Sequence, residues 1–115
     1  MIDGAHVIVY SSDAEADRSF LRDVLNFPHV DAGHGWLIFK LPPAEAAVHP
    51  AEAPSQELYF MCDDVEATVA ELSERGVKFV EPITNAGWGR VTRLRLPGGA
   101  EVGLYQPRHE RATEL

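Results

Sequence analysis

The clearest pattern of apolar and polar positions lies in the middle of the chain. Residues 56–62 (QELYFMC) alternate between two faces, which is typical of a β-strand. The apolar positions then change to helical spacing, which predicts a helix over residues 64–75. Asp63 and Glu66 have the spacing of a capping box at the start of this helix. These residues therefore predict a strand followed directly by a helix.

The same pattern occurs earlier in the chain. When His6 is aligned with Glu57, the segment AHVIVYSSDAEADRSFL matches QELYFMCDDVEATVAEL in its apolar positions and in several identities. Ser12 and Glu15 form the matching candidate capping box. The first half is therefore predicted to have a strand at 5–10 and a helix at 13–26. We interpret the two segments as an internal repeat.

Each half continues with shorter apolar segments separated by proline and glycine. The predicted strands are 29–31, 36–41 and 44–49 in the first half, and 78–80, 90–96 and 101–105 in the second. Residues 50–55 (PAEAPS) are a predicted linker, and the polar segment 108–115 is a predicted frayed tail. The chain is thus interpreted as a single α+β domain of residues 1–115, with two β-α-β-β-β modules at about 4–50 and 56–107.

Two such modules would form a curved, mostly antiparallel sheet around a cavity, with one helix on the outside of each module. One set of alternating strand residues would pack under the helices: Val7, Val9, Leu58, Phe60 and Cys62. The other set would line the cavity: His6, Ile8, Tyr10, Glu57, Tyr59 and Met61. His6 and Glu57 would then face each other across a pseudo-twofold axis, where imidazole and carboxylate groups can bind one divalent metal. An exposed Glu57, or one paired with His6 or an arginine, is the alternative.

Composition narrows the possible partners. The 115 residues carry a formal net charge of −8, which argues against nucleic acid or an anionic membrane surface as a partner. One cysteine and no apparent signal segment favour a reducing, cytoplasmic location. The basic group Arg90, Arg93 and Arg95 is interpreted as a solvated or dimer-facing strand edge. The sequence also lacks a phosphate-binding loop, a nucleophile elbow and zinc-finger spacings.

Four stretches of the chain resemble the vicinal oxygen chelate superfamily, which includes glyoxalase I, extradiol dioxygenases, and fosfomycin- and bleomycin-resistance proteins. They are AHVIVYSSDAEADRSFLRDVLNFP, ELYFMCDDVEATVAELSERGVKFVEP, GWGR and LPGGAEVGLYQP. The last one is similar to the turn and strand D-P-x-G-N-x-x-E-L of that superfamily. The resemblance implies the glyoxalase/bleomycin resistance/dioxygenase fold over about residues 4–107. It also implies a homodimer, because members of the superfamily usually build their cavities between chains.

The resemblance also implies where a divalent metal (Zn, Ni, Mn or Fe) would bind. By position, His6 and Glu57 match metal ligands of the superfamily. The glutamate of the last strand falls on Gly103, which has no side chain to bind a metal. Glu101 could substitute if the strand shifted, and His49 lies near the corresponding position of the first half.

Two functions from different classes follow. The first is a metal-free protein that binds or sequesters a small molecule, as resistance proteins of the superfamily do. Gly103 would leave room for the ligand, and apolar or stacking area would come from Tyr10, Trp36, Tyr59, Met61 and Tyr105. The alternative is a metal-dependent lyase, isomerase or dioxygenase acting on a small substrate with vicinal oxygens. The sequence favours the binding protein because the ligand position at Gly103 is lost, and it leaves open whether the protein is an enzyme.

Overall fold

The computed structural model describes residues 6–45, 47–48, 50–53 and 55–115. Two ten-residue helices and seven short strands are present in these ranges, followed by a 3₁₀ turn. In chain order they are α1 (Ala14–Asp23), β1 (His29–Asp31), β2 (Leu37–Phe39), β3 (Tyr59–Met61), α2 (Val65–Glu74), β4 (Lys78–Phe79), β5 (Thr84–Ala86), β6 (Gly89–Arg95), β7 (Glu101–Pro107) and the 3₁₀ turn Ala112–Glu114. No helix in the described ranges is long and apolar enough to cross a membrane.

Both helices confirm the periodicity of the sequence, but the N-cap of each lies one residue later than predicted. The N-caps are Asp13 and Asp64, whose carboxylates accept hydrogen bonds from the backbone N–H groups three residues further on. The predicted caps Ser12 and Asp63 were therefore wrong, because in each half the following aspartate has the better-placed carboxylate. The two caps remain equivalent positions of the repeat.

The second half forms a five-stranded mixed sheet. Its main path runs β3-β7-β6-β4, with β5 paired to β6. β3 pairs with β7 in parallel, and the other pairings described for this sheet are antiparallel. The α+β class is thereby confirmed. Thr84–Ala86 pairs with Gly89–Val91 as a tight hairpin, so β5 is a short strand that was not among the predicted ones.

The first half shows its helix and one hairpin, in which β1 pairs with β2 antiparallel. The strand predicted at 5–10 is absent over residues 6–10, and the strand predicted at 44–49 is absent over 44, 45, 47 and 48. In the second half, the corresponding strands β3 and β7 pair with each other. An alanine-rich segment bounded by prolines is a poor strand, and within the described ranges the first segment then lacks a neighbouring strand with which its backbone groups could pair.

The core lies between the two helices and one face of the large sheet. Phe20 of α1, Leu72 of α2 and Leu94 of β6 are buried there, together with Leu96 and Val102. Leu58 and Phe60 pack against this cluster, which confirms that they lie on the helix side of their strand. The opposite face of the sheet is therefore not covered by these helices. We call it the open face.

Hydrogen bonds also join the start of α1 to the turn between β6 and β7. The buried carboxylate of Asp17 accepts a hydrogen bond of 2.7 Å from the Gly98 N–H through Oδ1. Ser12 donates a bond of 2.8 Å to the Gly98 carbonyl. A Cβ at Gly98 would lie 2.0 Å from Ser11 Oγ, so this close approach requires glycine. The start of α1 is thereby fixed against the second half.

Candidate ligand-binding site

Strand register places a set of predicted site residues on the open face. Tyr59 lies opposite Gly103, and Met61 lies opposite Tyr105. Arg93 of β6 is paired with Gly103 from the other side. Paired residues point to the same face of a sheet, and the alternate residue Val102 is buried under the helices. The open face is therefore where Tyr59, Met61, Gly103 and Tyr105 come together.

Three aromatic rings form the centre of the open face, and we call them the aromatic cluster: Tyr59, Trp88 and Tyr105. Each pair meets edge to face, with ring centroids 5.2 Å apart for Trp88–Tyr105, 5.8 Å for Tyr59–Tyr105 and 6.1 Å for Tyr59–Trp88. Tyr105 is only 9% exposed, whereas Trp88 is 42% exposed. The cluster thus has a buried base and one ring that a ligand can reach.

Glycine at position 103 is required by the ring of Tyr59. A Cβ added there would lie 2.0 Å from Cδ1 and 2.2 Å from Cε1 of Tyr59. Such distances are far inside van der Waals contact, so any side chain at 103 would displace the ring. The space in which the superfamily resemblance places a metal-binding glutamate is therefore filled by Tyr59.

Charged side chains border the cluster on one side. The guanidinium of Arg93 lies 5.6 Å from the centroid of the Tyr59 ring and donates a hydrogen bond of 3.3 Å to its hydroxyl. Glu101 lies 3.6 Å from Arg93 and 3.4 Å from Arg95. Partial burial works against the charge of Arg93, but Tyr59 and the carboxylates of Glu57 and Glu101 outweigh it and raise the pKa of Arg93. This border is charged but close to electrically balanced.

A carboxylate borders the cluster on the other side. The hydroxyl of Tyr105 donates a hydrogen bond of 3.0 Å to Glu45 Oε1 and lies 3.3 Å from His109 Nε2. Burial, followed by the hydrogen bond to Glu45 and its charge, raises the pKa of Tyr105 to about 12. Tyr105 therefore keeps its proton at neutral pH and serves as a hydrogen-bond donor, not as a base.

Of the remaining predicted site residues, Glu57 lies near the Arg93 border of the cluster, and the others lie in other segments or outside the described residues. His6 and Tyr10 are exposed in the segment before α1, and Glu57 is exposed just before β3. Trp36 is 65% exposed and packs under the guanidinium of Arg18, at 4.6 Å. His49 lies outside the described residues. Whether these residues bind a metal or a ligand stays a prediction.

The described side chains fit a metal ion poorly. Among the residues that the structure describes, no group of three histidine, cysteine, aspartate or glutamate side chains is arranged to hold one. Glu101 is engaged by two arginines, and Tyr59 covers Gly103. We therefore derive no chemical step through a metal at this face.

Several residues of the site were missed or undervalued from the sequence: Glu45, Trp88, Arg93 and His109. Trp88 lies in the GWGR motif, which was a usable signal, although aromatic residues near strands are more often part of a core. Arg93 was interpreted as part of a solvated edge. The contact of Glu45 with Tyr105 joins residues that are 60 positions apart, and His109 lies in a segment that was predicted to be frayed. No local sequence pattern predicts either contact.

Two grooves lie elsewhere, on the β1–β2 hairpin and its flanks. One, of about 350 Å³, is lined by Pro28–Val30 and Ile38–Lys40, and the other, of about 250 Å³, by Phe27, Pro28 and Lys40–Pro43. Both grooves are shallow, and neither is lined by a residue of the aromatic cluster or by Arg93. The aromatic cluster is the better candidate because it combines stacking surface with convergent polar groups.

Comparisons with known proteins identify the family. The sequence profile of the Glyoxalase/Bleomycin resistance protein/Dioxygenase superfamily matches residues 5–104. No curated protein sequence is significantly similar to the chain. Among solved structures, TnmS3, an antibiotic binding protein from Streptomyces sp. CB03234, is 29% identical with a TM-score of 0.63, over 93% of this chain and 99% of that one.

Two further structures extend the comparison. A glyoxalase/bleomycin resistance protein, also from Streptomyces sp. CB03234, is 31% identical with a TM-score of 0.58, over 85% of this chain and 95% of that one. Lactoylglutathione lyase from Agrobacterium tumefaciens has a TM-score of 0.64 at 18% identity, over 90% and 92% of the two chains, which is a likeness of fold alone. The chain therefore belongs to the glyoxalase/bleomycin resistance protein/dioxygenase superfamily.

Proposed function

We propose that the protein binds a small molecule on the open face and has no metal at that site. The observation that carries this proposal is the aromatic cluster, in which Tyr59 occupies the space above Gly103. Trp88 offers an exposed ring for stacking, and the guanidinium of Arg93 adds hydrogen-bond donors beside the cluster. Aromatic surface with a few convergent polar groups is typical of small-molecule sites.

The comparison with TnmS3 supports the same class of function. That protein is an antibiotic binding protein, and its chain is matched over nearly its whole length. We propose an antibiotic or a similar ring-containing compound as the ligand class. Edge-to-face rings of the cluster favour planar apolar groups, and the balanced charges at the Arg93 border tolerate a neutral or singly charged ligand.

Calorimetric titration with a panel of ring-containing antibiotics tests the proposal. A compound that binds should lose at least tenfold in affinity in Trp88→Ala, equal to about 1.4 kcal/mol, because the exposed stacking ring is removed. Trp36→Ala is the matched control and should change the affinity less than twofold, since Trp36 packs under Arg18. Equal losses in the two variants, or unchanged affinity in Trp88→Ala, would place the ligand elsewhere.

The metal-dependent lyase, isomerase or dioxygenase stays a prediction for this chain. Its ligands would be His6 and Glu57, with His49 or Glu101. Because Arg93 and Arg95 already engage Glu101, we expect zinc, nickel and manganese to bind more weakly than nanomolar, if at all. Calorimetry of protein purified without an affinity tag measures this, and Glu57→Ala is the diagnostic variant. Tighter binding that Glu57→Ala abolishes would support the enzyme and count against the binding protein.

We also propose a homodimer. The alternating segment 6–10 has exposed apolar side chains, with Ile8 at 63%, and no strand of the described chain pairs with it. An unpaired apolar segment of this kind can pair with an exposed strand edge of a second copy. Light scattering at ~100 µM, far above the Kd of a specific dimer, should give the dimer mass, and Ile8→Lys should reduce it. A monomer mass for the unaltered chain would refute the proposal.

A cytoplasmic location stays a prediction from the sequence.

A further inference from the structure

Residues 108–115 turn back beside the aromatic cluster after β7 ends, and we call them the strap. The backbone N–H of Arg108 donates a hydrogen bond of 3.0 Å to the Trp88 carbonyl. Its guanidinium donates to Asn85 Oδ1 at 2.9 Å and to the Ala86 carbonyl at 3.2 Å. The ring of His109 lies 6.1 Å from that of Tyr105. The start of the strap is thereby placed against the backbone of Trp88 and the ring of Tyr105.

One carboxylate from the first half fastens the rest of the strap. Glu45 Oε2 accepts a hydrogen bond of 2.9 Å from the Ala112 N–H, while Oε1 accepts the hydroxyl of Tyr105 and lies 3.4 Å from His109 Nε2. The side chain of Glu45 is only 14% exposed. A single residue therefore joins the strap, strand β7 and the segment that follows Pro43.

The charge of Glu45 is favoured by the groups that face it. The Ala112 N–H lowers the pKa of Glu45 most, and the Tyr105 hydroxyl, His109 and Arg111 act in the same direction against partial burial. Glu45 is therefore ionised at neutral pH. Hydrogen bonds to an ionised acceptor are stronger than those between neutral groups, so Glu45 should hold the strap firmly.

The strap has a second and weaker fastening. Arg111 pairs with Asp63 at 3.1 Å, but the side chain of Asp63 is 98% exposed. Exposed ion pairs contribute little, because water and salt screen them. Asp63 is therefore a matched control for Glu45, since both are acidic residues that hold the same segment from outside it.

We propose that the strap is a movable wall of the aromatic cluster, and that Glu45 is the positioning residue that keeps it closed and so controls the access of small molecules to Tyr105. Without Glu45 the strap would lose the bond at Ala112 and would keep only its Arg108 contacts and the weaker, exposed Arg111–Asp63 pair. It would then open from its far end while the sheet stays folded. These contacts alone place the strap as a wall beside Tyr105, whereas an effect of the strap on ligand exchange rests on the proposed function.

Two measurements on the ligand-free protein test the wall itself. In Glu45→Ala, amide hydrogen exchange at Ala112 should become about tenfold to a hundredfold faster, because its charged acceptor is lost. Broadening of the Tyr105 ring signals by a neutral, soluble gadolinium chelate should at least double. Asp63→Ala should change the exchange rate less than about threefold and should leave the broadening nearly unchanged, because its ion pair with Arg111 is exposed. An unchanged exchange rate or an unchanged broadening in Glu45→Ala would overturn the proposal, as would equal effects in Asp63→Ala.

Stopped-flow binding of anilinonaphthalene sulfonate, an aromatic anion that fluoresces in apolar sites, tests the effect on ligands. Its association and dissociation rate constants should rise together in Glu45→Ala, with the Kd changing less than threefold, because a gate changes rates and not the bound contacts. Unchanged rate constants, or a change in only one of them with the matching change in Kd, would overturn gating. If the dye fails to bind the unaltered protein, the proposed function loses support, and the exchange and broadening measurements still decide the strap.

Discussion

Gly103→Ala is a small substitution that should have a large effect on the stability of this protein. In an ordinary strand, alanine in place of glycine adds about 0.5–1 kcal/mol of stability, because glycine has more freedom to lose on folding. Here the new Cβ would lie 2.0 Å from Cδ1 of Tyr59, on a ring that also touches Tyr105 and Trp88. The ring must therefore move, and the sign of the effect should reverse.

The size of the loss follows from the contacts of Tyr59. Forcing an extra methyl group into a packed site costs about 1–3 kcal/mol. Displacing the ring also weakens its edge-to-face contacts with Tyr105 and Trp88, each contributing about 0.5–1.5 kcal/mol. After the strand gain is subtracted, we expect a net loss of about 3 kcal/mol. For a domain near this size, that corresponds to a fall of roughly 10–20 °C in Tm.

Urea denaturation and thermal melting of four proteins measure this loss: the unaltered chain, Gly103→Ala, Tyr59→Ala and the double variant. With Tyr59 shortened, alanine at 103 has no ring to displace, so the double variant should be no less stable than Tyr59→Ala. Gly87→Ala is the control, because nothing lies within 4 Å of a Cβ there, and its effect should stay within about 0.5 kcal/mol. Additive effects of the two substitutions would refute the steric argument.

Three further predictions concern other parts of the molecule. Asp17→Ala should lower the free energy of unfolding, measured in urea, by about 1.5–3 kcal/mol, because the Gly98 N–H loses its carboxylate acceptor. Asp17→Asn keeps an acceptor oxygen and should lose less stability. Equal losses in the two variants would contradict this reasoning. Asp64→Ala should cost about 1 kcal/mol as the cap of α2, whereas Asp63→Ala should cost less than about 0.5 kcal/mol; the reverse order would restore the cap predicted from the sequence. Tyr105, with its pKa raised to about 12, holds its proton in the folded state at a pH where an unfolded tyrosine, with a pKa of 10, has lost it. Stability from this group is therefore complete below pH 10 and is lost as the pH rises from 10 to about 12, and ultraviolet absorbance of the phenolate should show one tyrosine titrating late; three tyrosines titrating together would contradict it.

The parts of the fold that depend on neighbouring residues were predictable. Helical spacing located α1 and α2, and Asn26 and Gly76, which follow them, have left-handed φ values of 58° and 86°, as residues of these types often do after a helix. The alternation of residues 56–62 correctly assigned Leu58 and Phe60 to the helix side. These features follow from hydrogen bonds and side-chain faces within a few residues, which a sequence pattern records directly.

Features that depend on distant partners were predicted less well. The apolar alternation of residues 6–10 is as regular as that of β3, but a strand also needs a neighbouring strand, and residues 44–48 do not supply one in the described structure. At the site, the sequence showed that Gly103 lacks a ligand side chain. It did not show that Tyr59 fills the space, because that contact depends on the parallel register of β3 and β7. The fastening of Tyr105 by Glu45 is equally non-local.

The parallel pairing of β3 with β7 joins the first and last strands of the second half, so this sheet cannot grow strand by strand along the chain. β6 and β7 can form their hairpin through the turn at 96–100, but β3 must wait until β7 has been made. During synthesis, Phe20 of α1 and Phe60 of β3 leave the ribosome long before Leu94 and Val102, the core residues they pack with. The nascent chain therefore carries unburied apolar surface until β7 has emerged, and the core around Phe20 and Phe60 can form only after that strand is available.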